Sequence, residues 1–151
     1  MKVPIYQKGK NTAEELKAII FAEERFDEAA YALIDLAKLD KLDAKIMALE
    51  ILNSKKGDIF YQASAFDVLY DISQQVAVVF IRENAHKAET YLLATMLSDV
   101  TADSGTLTEQ GQEKVKEAAA ILKDALSKRS PQELESISEE VEWFKKTFGA
   151  A

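Results

Sequence analysis

The chain has 151 residues, 48% of them apolar, no cysteine and a net charge of −7. That length suits one domain burying roughly 70% of its unfolded surface, and the missing cysteine excludes disulfides and thiolate sites. The acidic balance excludes a chain-wide nucleic-acid surface, because binding phosphate needs basic side chains.

Residues 1–11 read as an N-terminal arm. The opening stretch Met1 to Lys8 lacks the apolar run of a secretory signal. The longest unbroken apolar run is Val76 to Ile81, far short of the ~20 residues that cross a bilayer. A cytoplasmic protein with no membrane contact is expected. Thr12 and Glu15 form a capping box that opens a first helix to about Ala22. A second helix is predicted from about Arg25 to Leu39, with Phe26, Ala30, Leu33 and Ala37 on its inner face. Asp40 caps a third, with Leu42, Ile46, Leu49 and Leu52 sharing a side, and Gly57 ends the connection after it.

Residues 58–104 contain neither Gly nor Pro, which disfavours a β-rich fold with its frequent turns. Tyr61 to Ile72 reads as a helix through Ala65, Phe66, Leu69 and Ile72. Val76 to Ile81 taken alone could be a strand, but no neighbouring turn offers it a partner, so a buried helix over 73–83 is the better reading. Ala88 to Val100 forms another helix, with Tyr91, Leu92, Thr95 and Met96 for packing, and Asp103-Ser104-Gly105 breaks the chain. Thr106 and Glu109 suggest a second capping box before a helix to about Lys128, striped by Val115, Ala118, Leu122 and Leu126. Ser130-Pro131-Gln132-Glu133 is a third, opening a last helix through Leu134, Ile137, Val141, Phe144 and Phe148. The expectation is a single all-α domain over residues 1–151. It has about eight helices in antiparallel hairpins, as a HEAT-like stack or a compact bundle.

Residue sets that could carry chemistry are few. His86 is the only histidine, so Glu83-x-x-His86 falls short of a di-iron site, which needs two such motifs. Arg82 and His86 lie closer together than the pair used by helical RNases of the HEPN type. Glu24/Asp27 and Glu139/Glu142 are two acidic pairs of the kind that holds magnesium in helical nucleotide hydrolases, and equally of the kind that faces solvent at helix starts. There is no Gly-rich phosphate loop and no evident nucleophile–base pair. No cofactor, no metal and no enzyme activity are expected.

The charge, in contrast, is unevenly placed. Residues 57–113 contain nine acids and only two bases, and hold the whole excess of −7. Asp67 and Asp71 stand one turn apart, a repulsion of a few tenths of a kcal/mol, and no Lys or Arg occurs between Asp58 and Ile81. Asp58, Tyr61, Asp67, Tyr70, Asp71 and Gln74 are therefore the candidate partner-binding residues. The carboxylates would attract a basic protein, and the tyrosines would anchor it with a large face and a polar tip.

Ala65 to Asp71, Val78 to Asn84 and Glu89 to Leu93 are similar to the helical hairpins of small acidic immunity proteins from bacterial contact-dependent inhibition and polymorphic toxin systems. The likeness spans roughly residues 25–125. It implies a cytoplasmic bacterial protein that binds and blocks one cognate toxin, often a basic nuclease, and it carries no family site residues over. Two other classes stay open: a HEAT-like adaptor or scaffold, and a metal-dependent nucleotide hydrolase using Glu24, Asp27, Glu139 and Glu142.

Overall fold

A computed structural model describes residues 2–149, and every regular element in them is helical. The helices are α1 (Ala13–Phe21), α2 (Phe26–Leu39), α3 (Lys41–Ser54), α4 (Ile59–Ile72), α5 (Gln74–Asn84), α6 (Thr90–Ala102), α7 (Glu109–Ser127), α8 (Pro131–Leu134) and α9 (Ser138–Phe148). No strand occurs among the described residues, and Val76 to Ile81 lies within α5. The burial pattern gives the reason: Ala77, Val78, Phe80 and Ile81 are buried while Val79 is exposed, which is helical spacing. No described helix is long and apolar enough to cross a membrane.

The chain divides into two compact units, one ending at Ser73 and one beginning at Gln74. In the first, α1 packs on α2, α2 on α3 and α4, and α3 on α4. The predicted capping box at Thr12 and Glu15 is present, and Asp40 and Asp58 cap α3 and α4 through side-chain bonds to Asp43 N and Tyr61 N.

Two predicted inner faces are corrected. In α2 the buried stripe is Ala29, Ala32, Leu33 and Leu36, joined by Asp35, rather than the one through Phe26, Ala30 and Ala37. Asp35 is tolerated inside because the N-terminal arm covers it: the Tyr6 hydroxyl donates to its Oδ2 at 2.8 Å and the Gly9 N–H at 3.1 Å. The Tyr6 ring also stacks on Tyr31 with centroids 6.0 Å apart. The arm is described from Lys2 onward, and Met1 lies outside the described residues. In α3 the buried residues are Ala44, Met47, Ala48, Ile51 and Leu52, whereas Leu42 and Ile46 are 62% and 52% exposed. This helix is apolar on two opposite sides. The side bearing the small Ala44 and Ala48 permits the closer helix approach, and it faces the core.

The second unit places α5 and α6 against α7, and α6 against α9. Its interior gathers Val78 and Ile81 from α5, Leu93, Met96 and Leu97 from α6, Leu122 from α7 and Phe144 from α9. The predicted capping box at Thr106 is corrected. The cap of α7 is Thr108, whose side chain accepts from Gly111 N. A Cβ on Gly111 would meet Thr108 Oγ1 at 2.6 Å and Thr106 Oγ1 at 2.7 Å, so both threonines fold over the helix start in space that only glycine leaves. The box at Ser130 and Glu133 is present but opens only the one-turn α8. A 3-10 turn, Glu135–Ile137, separates it from α9, so the last helix is broken rather than continuous. Arg129 closes the unit by donating to Ala85 O at 3.0 Å and Ala88 O at 2.7 Å, pinning the turn after α5.

Candidate functional site

The first unit carries an open groove of about 460 Å³ between α2 and α4, reached also by the first residue of α3. Ile34, Ala37, Val68 and Ile72 line it with apolar surface, Asp67 and Asp71 edge it from α4, and Lys38 and Lys41 edge it opposite. The helical repeat explains the arrangement. Asp67 and Asp71 stand one turn apart, and Val68 and Ile72 follow each on the adjacent, inward-leaning track. Ile34, 41% exposed, leaves apolar surface open to solvent inside the groove.

The two aspartates are exposed, as a partner-binding role requires. Their local repulsion is not left unanswered, because Lys38 and Lys41 come to the same groove from α2 and α3. These lysines, with Ile34, are the site residues that the sequence reading missed. The available signal was the spacing of Ile34 and Lys38 at i and i+4, off the inner face of α2, whereas Lys41 begins α3 after the extended Asp40 and no helical spacing points to it.

The other candidate residues divide. Asp58 is exposed, but its carboxylate accepts from Tyr61 N at 2.8 Å, and its position nine residues before Asp67 puts it about 14 Å along the helix. Tyr61 is a correction: it is only 3% exposed, with its ring 5.0 Å from Phe26, so it is core and no surface anchor. Burial first, and then the nearby Glu23 carboxylate, push its phenol up to about 12. Tyr70 is half-buried, with its ring 6.2 Å from Phe66. Gln74 belongs to the second unit, where its amide donates to Asp103 Oδ2 at 2.6 Å. The acidic block of residues 57–113 is thus shared between the units: Asp58, Asp67 and Asp71 lie in the first and the remaining acids in the second.

Outside the groove, His86 and Arg82 each pair with an acid of α7. His86 follows the end of α5 and meets Asp124 Oδ2 through Nε2 at 2.7 Å. That bond, followed by Lys128, holds the Asp124 carboxyl below the usual carboxylate range. Arg82 pairs with a different α7 acid, Glu117. Glu24, Asp27, Glu139 and Glu142 are exposed, the first two in one unit and the last two in the other. Among the described residues no group of three or more acids and histidines is placed to hold a metal ion.

No family model matches the chain, and comparison with curated proteins and with solved structures finds no match either.

Proposed function

We propose that this protein is a cytoplasmic, non-enzymatic binding protein that neutralises a basic cognate toxin domain, and that the α2–α4 groove receives part of that toxin. One observation carries the reading: two exposed carboxylates one turn apart edge an open groove with exposed apolar surface inside it. An apolar side chain of the partner fills the groove while a Lys or Arg beside it reaches Asp67 and Asp71, combining a buried anchor with peripheral charge. Lys38 and Lys41 on the opposite edge favour a partner segment that also carries an acid, so they select register rather than oppose binding. The likeness to small acidic immunity proteins supports the same conclusion from the sequence side.

The test is titration of the protein encoded by the adjoining gene against wild type and the Asp67→Asn/Asp71→Asn double variant at two salt concentrations. The double variant should fold normally, since it removes a repulsion, and bind about tenfold more weakly with a shallower salt dependence. Unchanged affinity and salt dependence would remove the groove from the interface.

A further inference from the structure

The outer face of α3 has no use in the core and none in the groove. Leu42, Ile46 and Asn53 are exposed and Leu49 is half-buried. Their spacing is four, three and four, which is the seam of a coiled coil with Leu42 and Leu49 at d and Ile46 and Asn53 at a. The residues α3 gives to its own core, Ala44, Met47, Ala48, Ile51 and Leu52, fall at b, c, f and, for Leu52 alone, g. The seam therefore points outward along the whole helix, about 21 Å long. β-Branched Ile at a with Leu at d is the combination that favours two strands, and a single Asn at a fixes register.

We propose that α3 pairs with α3 of a second copy of this chain, parallel and in register about a two-fold axis. The charges choose the occupant and the orientation. Lys45 stands at g and Glu50 at e of the next heptad, which are the positions that meet across a parallel pair. In a parallel homodimer Lys45 of each copy faces Glu50 of the other, twice by symmetry. In an antiparallel pair with the same seam Lys45 would face the apolar Leu52 and Glu50 would face Asp43, so the cation would lose its acid and two acids would be set together. Glu50 also lies 3.6 Å from Lys56 of its own chain, on the exposed side where a second cation can share it. Asn53 of one copy meets Asn53 of the other and hydrogen-bonds across the axis. The inference does not depend on the groove: none of Leu42, Ile46 and Leu49 lines it.

Sedimentation equilibrium of the full chain tests this, over roughly three decades of concentration reaching the submillimolar range that a contact two heptads long calls for. The expected result is a reversible approach to twice the 16.8 kDa chain mass. Ile46→Asp, on an exposed position, should leave the circular dichroism spectrum unchanged and keep the chain monomeric. Lys45→Glu should weaken association about tenfold or more, and Lys45→Glu combined with Glu50→Lys should restore it. A wild type that stays monomeric throughout would overturn the proposal, as would a dimer indifferent to Ile46→Asp. Failure of the charge swap to restore association would overturn it equally, because it would remove the parallel pairing.

Discussion

At Tyr61 a phenol sits against the Phe26 ring, and its hydroxyl meets no hydrogen-bond partner among the described residues. A buried hydroxyl without a partner costs about 1–3 kcal/mol. Tyr61→Phe is therefore expected to leave stability at neutral pH unchanged or raise it by up to about 1 kcal/mol. The hydroxyl has a second effect in alkali. The unfolded phenol loses its proton near 10.0 and the folded one only at about 12, so the unfolded state ionises first. The stabilisation is complete below about pH 10 and is lost as pH rises towards 12. Tyr6, raised to about 12 by burial and by Asp35, acts in the same window. Thermal melts between pH 8 and 11 should show Tyr61→Phe losing less stability than wild type, and an equally steep loss would count against the assignment. The sequence carries a signal for this: Tyr61 stands four residues before Ala65 and eight before Leu69, on the inner face read for this helix. The nearby acids Asp58 and Asp67 mask that spacing, and packing against Phe26 completes the burial.

The connection between α3 and α4 is built from backbone constraint. Lys55 adopts the left-handed conformation with φ 52°, and Gly57 follows with φ 69°. A Cβ at Gly57 would lie 2.8 Å from Tyr61 Cδ2 and 2.9 Å from the Phe26 ring. Gly57→Ala should cost about 2–3 kcal/mol, combining left-handed strain with ring displacement. Gly9 provides the control: its φ is 72°, with nothing within 4 Å of the Cβ position, so Gly9→Ala should cost only about 1 kcal/mol. Equal losses in chemical denaturation would show that ring crowding contributes nothing. Helix existence was legible in the sequence because caps and apolar spacing are local signals, as at Thr12, Asp40 and Ser130. Helix orientation was legible only in part. In α3 both Leu42–Ile46–Leu49 and Ala44–Met47–Ala48–Ile51 satisfy the helical period, and the choice between them belongs to the helices it packs on. The groove was half legible for the same reason. Asp67 and Asp71 declare themselves by spacing, while Lys38 and Lys41 reach them from more than twenty residues away.

At the scale of the whole chain, each unit encloses its own interior, centred on Leu33, Leu36 and Phe66 in one and on Leu93, Met96 and Phe144 in the other. Two cores predict two cooperative blocks. The enthalpy measured directly by calorimetry should exceed the van't Hoff enthalpy, and amide exchange should sort protected sites into two sets dividing near Ser73. A ratio of one, with a single set of opening free energies, would show one cooperative unit instead. The uneven charge looks different at this scale. The acidic block that is continuous in sequence is divided by the boundary at Ser73 and Gln74, so it is not a single acidic surface of one unit.

Because both units are contiguous in sequence, they also have an order in time. The first is complete once Ser73 has been added, with 78 residues still to come. At roughly 5–20 residues per second, those take about 4–16 s to translate. Helical domains rich in local contacts fold in microseconds to milliseconds, so the first unit has ample time to close before the second exists. During those seconds a growing chain already presents both the groove and the outer face of α3. Ribosomes that follow one another on a single message hold such chains side by side, where two copies of α3 can meet before either polypeptide is released.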